Sequence, residues 1–421
     1  MSTKSPLPLW LFVSYGGGHV KALLPVAQRV RDLGIARPLY LALTTAATPV
    51  KQAGMPSIGF RDLLANDEAR ARRKGEELAL QLQVHAADRD ESIAYLGLSY
   101  TEMEDRLGEQ AAAEQYARYG RQAFLPLAVL DRVIAGHQPS LVIATNSPRA
   151  EQAAIQAARA RGVPSACLVD LFGIWERELL ARPDYSDAVC VLNGAVRDSL
   201  IGAGRPASDV HVTGNPAFDS VRDPAMVAEG ARLRREAGWD GLHVCLYASS
   251  PEPNEIPGVA GKGDPALPRR IESALIEAVQ ANPALALWVR RHPSEAPATE
   301  VAGSGHPRVR VSTTDMPLHA SIHASDEVIV TVSTVGVEAS LAGKQVTQVR
   351  GSILDHLSPY LAMGVAQREF AVDEVAAAYA ASAPIRAKST PLQAPANAAT
   401  ASAADRVVQV LQTLQERHSG R

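Results

Sequence analysis

Short apolar runs rich in Leu, Val and Ile alternate along the chain with longer segments whose apolar positions recur every three or four residues. This is the pattern of a parallel sheet covered by helices on both faces. In the first half it predicts strands over residues 9–14, 38–43, 141–145, 164–170, 188–192 and 210–213. Helices fall between them. HVKALLPVAQRVRDLG ends on Gly34 and SPRAEQAAIQAARARG on Gly162, each glycine suited to a left-handed C-cap. A second set predicts strands over 242–248, 285–289, 309–311, 327–332 and 345–349, again with helices between.

Between about residues 61 and 136 the alternation stops. The charged, alanine-rich segments there have a helical period and predict a helical insertion, either packed on the first domain or acting as a lid or acceptor-binding arm. TGNPAFDSVRDP, residues 213–224, breaks the pattern and marks a boundary between domains at 1–216 and 217–385. KSTPLQAPANAATASAA is low in complexity and reads as a linker, and ADRVVQVLQTLQERH as an amphipathic helix, so 386–421 form a linker and terminal helix. A chain of 421 residues exceeds one ordinary core. The expected fold class is α/β, with two doubly wound Rossmann-type domains facing a cleft. Ligands of such sheets bind beyond the carboxyl ends of the strands.

Composition narrows the function classes. With 46% hydrophobic and 21% charged residues the chain is globular, and a net charge of −3 disfavours nucleic acid as a partner. PLPLWLFVS is short and runs into glycines rather than a cleavage site, and no run approaches ~20 apolar residues. A cytoplasmic protein without a transmembrane segment is expected, with at most peripheral membrane contact. Cys167, Cys190 and Cys245 are scattered inside apolar runs and read as buried thiols in a reducing compartment.

Four stretches carry candidate chemistry. In LFVSYGGGHV, Gly16, Gly17 and Gly18 permit positive φ and close backbone approach, and a helix starting near His19 offers N–H groups to a phosphorylated or sugar ligand. Lys21 stands where the dinucleotide fingerprint needs a third glycine. His19 is a candidate base; the alternative is a polar residue beside a tight turn. LWVRRHPSE brings Arg290, Arg291 and His292 to a strand end, as a phosphate or carboxylate grip or as ordinary surface cations. VIVTVSTVGVEASLAGKQV delivers Ser333, Thr334 and Gly336 to a loop and Glu338 to an exposed helix start, as a phosphate cradle with a ribose acceptor or as a plain N-cap. In CLVDLFGIWERELL, Asp170 ends a strand where catalytic carboxylates sit, or caps the next segment, and Glu176 and Glu178 follow.

Together these segments resemble the GT-B group of nucleotide-sugar enzymes. SYGGGHV with ALLPVAQRVRDLG is similar to the glycine-rich loop and helix of the peptidoglycan N-acetylglucosaminyltransferases. DVHVTGNPAFDSV resembles the inter-domain segment these share with UDP-N-acetylglucosamine 2-epimerases, and STVGVEASLAGKQV resembles their donor-binding loop and helix. RRHP resembles the His-Pro segment of bacterial sialyltransferases, Kdo transferases and polyglycerolphosphate transferases. The resemblance implies His19 as base or oxyanion partner near the donor–acceptor junction, with Asp170 as the other candidate base. It implies donor contacts from Gly17, Gly18, Arg291, His292, Ser333, Thr334 and Gly336, and a ribose contact from Glu338.

The function so implied is a GT-B glycosyltransferase of bacterial glycan biosynthesis, without a cofactor, that moves a sugar from a UDP-type donor to a glycan or lipid-linked hydroxyl acceptor. A CMP-linked acid-sugar donor is the alternative. Metal independence is expected because no D-x-D segment ends a strand; the single match, DRD at 88–90, lies in the helical insertion. An epimerase or hydrolase of the same fold, or a non-catalytic nucleotide-sugar-binding protein, are the other readings. The GTRPE-like opening of the epimerases is replaced here by YGGGH, which weighs against epimerisation.

Overall fold

The computed structural model describes residues 6–65, 68–82, 89–256, 259–292, 294–295, 305–312, 316–381 and 401–419. The chain divides into two compact units, one of residues 1–217 with 397–421 and the other of residues 218–396. Pro293, Asp88 and the linker expected after 386 fall outside the described residues.

Unit 1 opens with β1 (Leu9–Ser14), α1 (Gly18–Asp32), β2 (Arg37–Ala42), α2 (Ala47–Gln52) and β3 (Ser57–Ile58). Four helices follow: α3 (Ala69–Gln81), α4 (Arg89–Leu107), α5 (Glu109–Tyr119) and α6 (Leu127–His137). The alternation then resumes with β4 (Leu141–Thr145), α7 (Ala150–Ala160), β5 (Ser165–Leu168), α8 (Arg177–Ala181), β6 (Ala188–Val191), α9 (Gly194–Gly202) and β7 (Val210–Val212). The seven strands are parallel in the order β3-β2-β1-β4-β5-β6-β7. Gly34 and Gly162 have φ of 63° and 69°, so α1 and α7 run into left-handed turns that other residues adopt at a cost.

β1 lies in the middle of this sheet and is buried from Trp10 onward, which explains its continuous apolar run. Phe12 pairs in register with Tyr40 of β2 and with Ile143 of β4. Thr145 pairs with Leu168 of β5. This register carries the loops after β1, β4 and β5 to one edge of the sheet.

The helical insertion packs on unit 1 through an aromatic cluster. The Tyr95 ring on α4 meets Phe60 at 5.2 Å and both Tyr15 and Phe124 at 5.8 Å between centroids. Tyr15 Oη donates to Tyr95 Oη at 2.7 Å. The insertion is therefore anchored to the first residue after β1.

Unit 2 contains α10 (Pro224–Ala237), β8 (His243–Ala248), α11 (Leu267–Ala281), β9 (Leu285–Arg290), β10 (Val309–Val311) and α12 (Leu318–Ala324). It continues with β11 (Glu327–Val330), α13 (Val335–Leu341), β12 (Gln345–Arg350), β13 (Arg368–Ala371) and α14 (Val375–Ala381). Its six parallel strands run β10-β9-β8-β11-β12-β13, the 3-2-1-4-5-6 order of a dinucleotide-type sheet.

The last helix, α15 (Ala403–Ser419), returns to unit 1. Val407, Val408, Leu411 and Leu414 are buried in the core that holds Trp10 and Val26. Arg406 Nε donates to the Thr213 carbonyl at 2.7 Å, and Trp10 Nε1 donates to Gln415 at 3.1 Å.

Two strands escaped the pattern. β3 has only two residues, and β13 is an edge strand of half-exposed residues whose Arg368 and Glu369 hide its period. The three cysteines are buried, and burial pushes the Cys190 thiol up to about 12. Among the described residues no helix is long and apolar enough to cross a membrane.

Candidate functional site

The three glycines after β1 serve three different ends. A side chain at Gly16 would run into Thr45, so close packing excludes one there. Gly17 has φ of 67° with open space around its α-carbon, so its requirement is conformational. A Cβ at Gly18 would stand 3.5 Å from Asp170 Oδ2, so the loop tip and the β5 loop lie side by side.

His19, in the first turn of α1, is three-quarters buried there. Its Nδ1 lies 2.7 Å from Thr145 Oγ1, at the end of β4. Thr145 Oγ1 in turn donates to Glu151 Oε2 at 2.6 Å. Glu151, in the first turn of α7, is 0% exposed and accepts further bonds from the Tyr15 N–H at 2.7 Å and the Ser147 N–H at 2.8 Å. Burial raises the Glu151 carboxyl above the usual carboxylate range, opposed by His19, the Thr145 hydroxyl and the two backbone N–H groups.

The chain of donors fixes the imidazole tautomer. A threonine hydroxyl has one proton, and with Glu151 ionised it goes to that carboxylate, so the bond between Thr145 and His19 then takes its proton from Nδ1. The neutral ring then keeps the bare lone pair on Nε2, the form that accepts a proton. Nδ1 lies 3.9 Å from both Glu151 Oε2 and Asp170 Oδ2, so two carboxylates stand near that nitrogen.

Asp170 lies two residues past the end of β5 rather than on the strand itself. Its backbone is clamped: the N–H donates to Asn146 Oδ1 at 3.1 Å, and its carbonyl accepts from Asn215 Nδ2. Asn146 Nδ2 also donates to Glu176 Oε2 at 3.1 Å, and burial pushes the Glu176 carboxyl upward. His19 and Asp170 are thus brought together in unit 1, with Thr145, Asn146, Glu151 and Glu176 added to them. Glu151 had a visible signal, an acid opening the helix after a strand; Thr145 and Asn146 had none beyond their place at a strand end.

The remaining candidates lie in unit 2 at the carboxyl edge of its sheet. Arg291 is committed to Glu272, with Nη2 2.8 Å from Oε1. Arg290 Nη1 donates to the Met316 carbonyl at 2.8 Å. His292 Nδ1 accepts from the Ser294 N–H at 3.2 Å, so its neutral ring carries its proton on Nε2, as a donor. Ser333 Oγ accepts from the Val335 N–H at 3.4 Å, and Thr334 makes no capping bond at the start of α13.

Glu338 is 8% exposed, not on an open helix start, and its Oε2 is 2.7 Å from His319 Nε2. His319 is a further residue the sequence did not mark. Gly336 is buried, and a methyl there would come 2.8 Å from Tyr360 and 2.9 Å from Val330, so packing alone requires glycine.

Among the described residues the group with metal-ligand reach is His243, Cys245 and Glu327. It stands at the amino ends of β8 and β11, the edge opposite Ser333 and Arg290. Glu327 is already bonded by His243 at 3.1 Å, by Arg368 at 2.6 Å, by Tyr379 at 2.5 Å and by Thr347. Those donors explain it as a closed structural cluster, and they hold its carboxyl below the usual range despite burial.

No family model matches the chain, and no curated protein matches it in sequence. Solved structures do. A putative UDP-N-acetylglucosamine 2-epimerase from Listeria monocytogenes matches with a TM-score of 0.56 over 98% of each chain at 12% identity. The UDP-GlcNAc 2-epimerase of Neisseria meningitidis bound to UDP-GlcNAc matches with a TM-score of 0.53 at 12% identity, over 96% of this chain and 100% of that one. The glycotransferase of kitacinnamycin matches with a TM-score of 0.50 at 14% identity, over 98% and 96% of the two chains. The sheets of seven and six parallel strands are the two Rossmann-like domains of the GT-B fold.

Proposed function

We propose that the protein is a glycosyltransferase that moves a sugar from a UDP-type nucleotide donor to a hydroxyl acceptor, as part of bacterial glycan synthesis. The observation that carries this reading is the His19–Thr145–Glu151 chain, because it engages Nδ1 and leaves Nε2 as the ring nitrogen for proton transfer. Such a group is what the attack of a hydroxyl on an anomeric carbon requires. As Nε2 takes the hydroxyl proton, the ring becomes cationic, and the carboxylates of Glu151 and Asp170 at 3.9 Å offset that charge. In unit 2, the Ser333 and Thr334 hydroxyls and His292 Nε2–H supply donors to phosphate oxygens, and Glu338 Oε1 accepts from a ribose hydroxyl. The leaving nucleotide is thereby stabilised by fixed donors.

A second reading, a nucleotide-sugar 2-epimerase or hydrolase, is favoured by a specific observation. The Neisseria epimerase and the Listeria protein described as a putative one share the fold over nearly the whole chain, and Asp170 and Glu176 add acid and base groups around His19. Incubation with UDP-GlcNAc separates the readings. Transfer gives UDP release that rises with added acceptor; epimerisation gives a 2-epimer with no acceptor at all.

The donor base is tested by thermal shift with UDP, CMP, CDP, GDP and dTDP. A ligand at 100 times its Kd adds about 2.7 kcal/mol of stability, and UDP is expected to give the largest shift. Glu338→Ala is expected to weaken UDP binding by about 1.5–3 kcal/mol, the range for a hydrogen bond to a charged group, with the circular dichroism spectrum preserved. Unchanged UDP affinity in a folded variant removes Glu338 from the site. Turnover is expected to survive EDTA, since donor charge is met by hydroxyls and His292; loss on chelation with rescue by magnesium or manganese overturns that assignment.

A further inference from the structure

We infer that a polar cleft at the carboxyl ends of β2 and β3 binds the anionic group, phosphate or carboxylate, of the acceptor. The acceptor role rests on the transferase reading; the binding itself does not. The cleft has a volume of about 250 Å³, just below the span usual for ligand clefts, and lies within unit 1.

Its walls carry Lys51 from α2 and Arg61 from the turn after β3, along with the hydroxyl-bearing Thr48 and Ser57. Among the described residues no carboxylate oxygen comes within 4.0 Å of either cation. Arg61 acts on Glu91 only at longer range.

Of the three carboxylates lining the same cleft, those of Asp62 and Glu91 are held by backbone N–H groups. Asp62 Oδ2 accepts from the Gly59 N–H at 2.8 Å. Glu91 is buried and accepts from the N–H groups of Phe60 at 2.9 Å and Arg61 at 3.1 Å. Burial pushes the Glu91 carboxyl upward, opposed by the same two N–H groups. Asp90 lies in the first turn of α4, where an acid offsets the positive end of the helix. Two cations and two hydroxyls, together with Asp90, are left facing a concave space, and the four donors form a set for an anion.

The place of the cleft ties it to the reaction. Ala42, on its wall, ends β2 and pairs in register with Ser14 at the end of β1, and His19 follows in the first turn of α1. Adjacent strands are about 5 Å apart, so the cleft and the proposed base share one edge of one sheet. An acceptor held there by its anion is restrained near His19.

The test is calorimetric titration of the full chain with glycerol 3-phosphate and with glucuronate, each against its neutral counterpart, glycerol or glucose. At least one anion is expected to bind ten-fold or more tightly than its counterpart, and which one does identifies phosphate or carboxylate as the source. In Lys51→Ala/Arg61→Ala that affinity falls ten-fold or more while UDP affinity stays unchanged. If the double variant does not fold, Lys51→Gln and Arg61→Gln singly replace it, each with a several-fold loss expected. Equal binding of the neutral compounds, no binding of either anion, or full anion affinity in the variants overturns the site. Anion binding without any sugar transfer leaves the cleft standing and removes the transferase reading; UDP binding and transfer to a neutral acceptor without anion binding does the reverse.

Discussion

His19→Ala lowers kcat by roughly 10²–10⁴-fold and leaves UDP affinity nearly unchanged. The size follows from removing the only ring whose tautomer is set by Thr145 and Glu151 for proton acceptance at Nε2. The sparing of affinity follows from the placement of the proposed nucleotide contacts in unit 2, while His19 belongs to unit 1. Acceptor-dependent UDP release under saturating donor measures the first, and calorimetry the second. Wild-type turnover in the variant would reduce His19 to a helix-start residue and make Asp170 the better candidate base.

Glu151→Ala is expected to destabilise unit 1 by about 3 kcal/mol or more. Three donors lose their acceptor at a fully buried position, the N–H groups of Tyr15 and Ser147 and the hydroxyl of Thr145. Each orphaned buried donor costs about 1–3 kcal/mol. Glu151→Gln is milder, since it keeps one carbonyl oxygen but turns an NH₂ group towards one of the donors. Denaturant unfolding followed by tryptophan fluorescence measures both, and a loss under about 1 kcal/mol for the alanine variant would contradict the network.

The same carboxyl makes stability depend on pH. Burial raises its pKa in the folded state, so the folded protein holds that proton more tightly than the unfolded chain. The contribution is full below the ordinary glutamate value, about 4.3, and is lost as pH rises through the folded value. The wild type is therefore expected to lose stability relative to Glu151→Gln across that window as pH increases.

The layout of the sheets was legible because their strands are buried on both faces. β1 and β4 occupy residues 9–14 and 141–145, the bounds that their apolar runs predict. The glycine run and His19 were legible too, as a loop between strand and helix. What joins His19 to its partners was not. Thr145 is 126 positions away, and the two meet only because β4 pairs with β1 in one register. Arg291 reads as a free phosphate grip in one dimension, yet α11 brings Glu272 against it. Glu338 reads as an open acceptor, yet α12 delivers His319 to it. Gly336 matches a ligand loop, while Tyr360 gives it a packing reason that no local pattern contains.

The return of α15 to unit 1 bears on how the chain is made. Unit 2 interrupts unit 1 in the order of synthesis, so the ribosome delivers residues 218–396 before the helix that completes the first core. Until Val407, Val408, Leu411 and Leu414 emerge, the surface beside Trp10 and Val26 that they cover stays wet. Domains fold in the main as units while the chain grows. Here the second unit is free to fold first and the N-terminal one must wait, so a nascent chain stalled before residue 403 should carry a protease-resistant unit 2 attached to a protease-sensitive unit 1.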